Sequence, residues 1–173
     1  MDELNEVWEE LLKEAAKNPQ EIAGEGFAEF LAVKTANDRI RETSVGWLLD
    51  TMRQAAEHAN RKGVGIAIET VADHRFAIDQ MRLGGALLRF RHGVRSLTVE
   101  AGWTRAPGDG FMRGNALAVA RISHFGVPKA NAELHLVKFE DRPRWFTVTN
   151  LGLRVSFEIH DLIKHFQIFL GAV

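Results

Sequence analysis

The sequence predicts an α+β fold: N-terminal helices, then a mostly antiparallel meander sheet of about six strands, then one C-terminal helix. Three observations predict it. Apolar residues recur at helical spacing as far as residue 62 and alternate like strands from Val64 onward. Residues 86–101 spell out a two-residue hairpin. Helices come first, then a meander of strands, then one helix from Ser156, which is the order of an α+β fold.

Composition sets the bounds. A chain of 173 residues, 46% apolar, fits a single domain 1–173 in which a helical part, 1–62, packs on a sheet part, 63–173. Residues 1–62 carry a balance of −5 and residues 63–173 one of +4. Opposite signs favour docking of the two parts on each other. The net charge of −1 provides no large field to draw the whole molecule to a polyanion or an anionic membrane. The absence of Cys excludes disulfides, thiolate catalysis and Cys-based metal sites. The absence of Tyr excludes tyrosyl acid–base chemistry. The start, Met1-Asp2-Glu3, lacks a basic region and apolar run, and no stretch approaches a membrane span, so the expected location is cytoplasmic.

The elements follow in order. Residues 2–17 read as an amphipathic helix with Leu4, Val7, Leu11 and Ala15 on one stripe and acidic residues at its N-terminal end. Asn18-Pro19-Gln20-Glu21 reads as a fresh helix start. Residues 27–36 are read as a short helix; the alternative is a hairpin of 30–35 and 39–43 joined at Asn37-Asp38. The clearest helix runs from Ser44 to Lys62, about 44–62. Thr43 or Ser44 caps it, Val45, Leu48, Leu49, Met52, Ala55, Ala56 and Ala59 share one face, and Gly63 is its left-handed stop.

Candidate strands are 64–71, 74–79, 85–92, 95–104, 115–124, 132–139 and 144–149. Asp73-His74 reads as a turn tip. His92-Gly93-Val94-Arg95 places Gly first in a type II′ turn, which pairs Phe90 with Leu97, Leu88 with Val99 and Ala86 with Ala101 on the core face. Arg89 and Arg91 then fall on the opposite face, because a one-residue slip would invert every side chain. A three-residue turn near Glu140-Asp141 would pair Leu136 with Phe146 and Leu134 with Val148. Ser156–Leu170 reads as the final helix, burying Phe157, Ile163, Phe166 and Leu170.

Chemistry is sparse. The seven His residues form no HExxH pair; Glu158, Asp161 and His165 share a helix face, which reads as a solvated polar stripe more than a metal site. Glu69, Asp73, His74, Arg75 and Asp79 form the densest polar cluster, able to orient a general base or simply to make a turn. The glycine-rich loop 104–114 carries Arg105, Asp109 and Arg113 and has the backbone freedom to approach an anion, without either phosphate-loop motif. His124 and His135 flank the 126–131 loop and so are candidates to meet. The candidate ligand-binding residues are Trp103, Arg105, Asp109, Arg113, His124 and His135. No catalytic residue, metal ligand or cofactor is assigned.

Function is therefore ranked rather than read. First comes a non-catalytic binding or protein-interaction module, self-associating as a homodimer or taking a protein partner, with Leu87, Val137, Trp145 and the tail from Phe169 as its apolar surface. Second comes a small-molecule-binding or enzymatic domain. Its apolar pocket lies between the long helix and the curved sheet, lined by Trp47, Met81, Trp103, Phe111 and Met112. Third comes nucleic-acid binding through strands bearing Arg89, Arg91, Arg95 and Arg121; the outward hairpin positions lack the aromatics of a base-stacking platform. Membrane partners are not expected.

Overall fold

The computed structural model describes residues 25–172. The helix expected over 2–17 and the helix start at Asn18–Glu21 lie outside the described residues. A long helix, α1 (Glu25–Arg61), is followed by seven strands: β1 (Ala67–Ile78), β2 (Met81–His92), β3 (Arg95–Trp103), β4 (Ala118–His124), β5 (Ala132–Phe139), β6 (Arg142–Val148) and β7 (Arg154–Ser156). The last helix is α2 (Ile159–Leu170). The strands form one antiparallel sheet in sequence order, β1 to β7, a pure meander. The class is α+β as expected, with seven strands rather than six. No helix among the described residues is long and apolar enough to cross a membrane.

The expected helix over 44–62 is the second half of α1. Residues 27–36 are helical, as favoured, and the hairpin alternative does not form. Ser44 is not a cap: the helix runs straight through it, and its carbonyl accepts a hydrogen bond from Trp145 Nε1 at 3.2 Å. Asn37-Asp38 looked like a breaker, yet it is held inside the helix. Asp38 Oδ2 takes the Lys34 ammonium at 2.6 Å and Oδ1 takes Arg41 at 3.0 Å. Burial alone would raise the Asp38 carboxyl, but the bonds and charges of Lys34 and Arg41 hold it below its ordinary value. Gly63 ends the helix with φ +88°, in the left-handed stop that the sequence predicts.

One sheet face, here called inner, carries both helices. Leu48, Met52 and Ala56 of α1 join Leu88, Phe90, Leu97, Val99 and Ala101 in one core cluster. Phe166 and Phe169 of α2 sit against Phe90, with ring centroids 6.1 and 6.2 Å away. The β2–β3 hairpin keeps its predicted register, Phe90↔Leu97, Leu88↔Val99 and Ala86↔Ala101. Arg89 and Arg91 lie on the outer face, both bonded to Glu69.

Four local readings are corrected. The two candidate strands 64–71 and 74–79 are one strand: Asp73-His74 is not a turn but part of a bulge between Val71 and His74, and the chain reverses at Asp79-Gln80. The β5–β6 hairpin closes over two residues, Glu140 and Asp141, both at positive φ. This shifts the register by one and pairs Leu136 with Trp145, not Phe146. Trp145 therefore points inward and is buried rather than outward, and Leu87, though on the outer face, is buried as well. Finally, Ser156 belongs to the short edge strand β7 and α2 starts at Ile159; it buries Leu162, Phe166 and Phe169 while Ile163 is exposed. Glu158 and Asp161 cap that helix, with Glu158 N–H donating to Asp161 Oδ2 at 2.8 Å.

Loop 104–117 folds back over the outer face at the β4 end of the sheet. Met112 is buried there, and Arg154 donates to the Gly114 carbonyl at 2.5 Å. From the inner side, the fully buried Arg41 donates through Nε to the Leu117 carbonyl at 2.7 Å, so α1 grips the end of the same loop.

Candidate functional site

The two flanks of α1 leave two grooves against the sheet, because a cylindrical helix cannot cover a seven-stranded twisted surface. The first groove, about 710 Å³, lies between the middle of α1 and the β5–β7 edge. Thr43, Ser44 and Trp47 form its helix wall; Leu136, Trp145, Phe157 and Ile159 form most of the other. Pro143 and Arg144 close one end and Ser156 and Glu158 another. Trp47 is only partly covered, and Ile159 is over half exposed, so the groove opens to solvent on apolar side chains. Farther along the same edge, past Val148, the β6–β7 turn carries Leu151 at 86% exposure and Leu153 at 62%, with Val155 next on β7.

The second groove, about 810 Å³, lies between α1 and β1–β3 and has a different character. Charged side chains of both signs line it, and its floor includes Gly84, Gly85 and Ala86. The sheet is pinched here: Gly85 pairs with Gly102, and a Cβ on Gly85 would overlap the Ala101 carbonyl oxygen.

Of the six residues singled out from sequence, two come together in that second groove. The Arg105 guanidinium lies 3.7 Å above the Trp103 ring and donates through Nε to the Gly84 carbonyl at 3.1 Å. Burial lowers the Arg105 pKa. The other four do not join them. Asp109 accepts the backbone N–H groups of Arg105 and Ala106 at 3.1 and 3.0 Å and so shapes the loop. Arg113 pairs with Asp79 at 2.7 Å. His124 and His135 are on adjacent strands but opposite faces, so they do not meet. His124 Nε2 contacts His165 Nδ1 at 2.9 Å on the inner side. His135 Nε2 contacts Glu133 at 2.8 Å, and its Nδ1 lies 3.4 Å from Arg154 on the outer side.

The His124–His165 pair is a neutral one. One ring donates and the other accepts, an arrangement that protonation of both rings would break. Burial lowers both pKa values, His165 to about 4, with the neighbouring His124 adding to the effect on His165. His165 thus bonds to His124 rather than to a carboxylate of the stripe that sequence grouped it with, although the Asp161 charge still acts on it. Among the described residues no group of three His, Asp or Glu is arranged to hold a metal ion.

Sequence reasoning missed a third constellation, on the outer face. Glu100 is almost buried; its Oε1 meets His74 Nε2 at 2.7 Å, and its Oε2 accepts Arg121 Nε at 2.8 Å and Nη2 at 2.5 Å. The His74 ring stacks on Phe76. The signal available was the outward register of Glu100 opposite Leu87 on one neighbour and Arg121 on the other. The sequence also pointed to Met81, Phe111 and Met112 as pocket walls; Met81 and Met112 are core and Phe111 is exposed, while Trp47 and Trp103 of that set line the two grooves.

Compared with protein-family models, curated proteins and solved structures, the chain matches none.

Proposed function

We propose that the protein is a non-catalytic interaction module that self-associates through the apolar groove beside Trp47. The observation that carries this reading is an apolar hollow and an apolar projection along one edge of the sheet. The hollow is walled by Trp47, Trp145, Phe157 and Ile159; the projection is the turn bearing Leu151 and Leu153, continued by Val155. A patch that carries both shapes is self-complementary about a twofold axis, since each copy inserts its turn into the other's groove. The outer edge of β7 pairs with no strand among the described residues, so main-chain bonds between copies add to the apolar contact. A stable contact of this kind must bury on the order of 1,200 Å² or more in total. The arginines of the outer face favour this reading over nucleic-acid binding: Arg89 and Arg91 are bonded to Glu69 and Arg121 to Glu100.

Sedimentation velocity tests the proposal. The wild-type chain is expected to run as a dimer at micromolar concentration, and Leu153→Asp as a folded monomer. A wild-type chain that stays monomeric across that range removes the reading. A second reading, a small apolar ligand in the same groove, draws on Trp47 and Trp145 both lining a space within the roughly 300–1,000 Å³ usual for ligand pockets. Ligand-induced change in Trp emission that persists in the Leu153→Asp monomer would favour it. We assign the module to the cytoplasm; cell fractionation checks that.

A further inference from the structure

The groove on the other flank of α1 is chemically unlike the first and is independent of it. Three arginines line it, Arg53, Arg75 and Arg105, and three carboxylates, Glu42, Asp50 and Asp73. None of these six forms an ion pair within 4 Å with any described residue. Opposite charges that face one cavity and leave one another unpaired are available to a ligand. Arg53 reaches only Thr70, at 3.1 Å, and its buried Nε has no hydrogen-bond partner. Arg105 is already positioned: Trp103 supports its plane and Gly84 fixes its Nε, which leaves the terminal nitrogens to donate.

Gly46 points the same way. It lies inside α1, where glycine weakens a helix relative to alanine. Neither packing nor backbone conformation accounts for it. A Cβ there would meet nothing within 4 Å, and its φ is not positive. What a side chain at Gly46 would enter is the groove itself, opposite the bare floor at Gly84, Gly85 and Ala86. The fold accepts a weaker helix and keeps an open volume of about 810 Å³, the size of a small-molecule pocket.

We propose that this groove is a binding site for a small zwitterion of the amino acid or dipeptide class, its carboxylate on Arg105 and Arg75 and its ammonium on Asp50 and Asp73. The equal number of cationic and anionic side chains disfavours a simple anion, which would gain three arginines and face three carboxylates.

The test is titration calorimetry on the full chain with the free L-amino acids and glycylglycine, beside n-butylamine, butyrate and inorganic phosphate as single-charge controls. At least one zwitterion is expected to bind ten-fold or more tighter than every single-charge control. Gly46→Leu is expected to weaken that binding at least ten-fold, and Gly46→Ala to raise the melting temperature of the ligand-free chain. Butyrate or phosphate binding as tightly as the best zwitterion overturns the proposal in favour of a plain anion site. Absence of binding across the panel overturns it, as does an unchanged affinity in Gly46→Leu. A lower melting temperature in Gly46→Ala would make Gly46 structural and overturn it too. Because the two grooves share no lining residue, loss of dimerisation in Leu153→Asp leaves this result unaffected.

Discussion

His74 on β1 reaches Glu100 on β3 at 2.7 Å by passing over β2 at Gly85, its register partner. A Cβ at Gly85 would overlap the Ala101 carbonyl oxygen, so β2 and β3 are pinched together where this bond crosses. The bulge at Val71–His74 and the pinch at Gly85–Gly102 therefore belong to one arrangement, in which an edge strand is tied two strands inward by a buried carboxylate. Arg121 closes the triad from β4.

Glu100→Ala removes the carboxylate that both His74 and Arg121 use. The expected loss is about 1–3 kcal/mol in urea unfolding, the range for buried hydrogen bonds to a charged group. Glu100→Gln keeps one acceptor and should cost less. Equal losses for the two variants would mean that the charge alone, and not the retained shape or acceptor, holds the triad.

Gly85→Ala should be the costlier change, at least about 3 kcal/mol, because the added carbon overlaps main chain rather than a movable side chain. Chemical denaturation of this variant beside Gly108→Ala, where the carbon meets nothing within 4 Å, gives the comparison.

Arg41 is fully buried between Asp38 and the Leu117 carbonyl. Arg41→Ala is expected to destabilise by about 1–3 kcal/mol, since it leaves the buried Leu117 carbonyl without its donor while Asp38 keeps Lys34. Hydrogen exchange should show loop 104–117 opening in this variant before the sheet core does.

The histidine pair gives the chain a pH-sensitive stability. Both folded pKa values lie below the ordinary 6.5, so between about pH 6.5 and 4 the unfolded chain binds more protons than the folded one. Stability is full above that window and falls as pH drops through it, with a slope of about 1.4 kcal/mol per pH unit for each proton taken up. His165→Leu should flatten the slope. The groups facing His165 are His124, Phe157, Asp161 and Lys164, and only the first would lose its bonding partner.

Much of this architecture could be read locally. Gly93 dictated its own turn, and the alternation around it fixed which arm residues face the helices. What could not be read were the places where a distant partner overrides a local signal. Asn37-Asp38 and Ser44 have the chemistry of breaks and caps, but Lys34, Arg41 and Trp145 keep them helical. Asp73-His74 has the chemistry of a turn, but His74 is tied to a residue 26 positions away. Glu140-Asp141 makes a two-residue turn at positive φ without glycine or asparagine, so nothing announced the register that turns Trp145 inward. Trp103 and Arg105 were legible as a site because they are neighbours in sequence. The carboxylates and arginines opposite them come from α1 and β1, and only folding assembles that groove.

Whether the Leu153 turn of one chain seats in the Trp47 groove of another can be tested directly, because the sequence contains no cysteine. Two single-cysteine chains, Leu153→Cys and Thr43→Cys, would be mixed and oxidised. A disulfide forms only when the Cα atoms approach within about 7 Å. Efficient cross-linking is expected between the two different chains, and little with Val94→Cys, at the β2–β3 hairpin, in place of Leu153→Cys. Cross-linking no better than that control would contradict it.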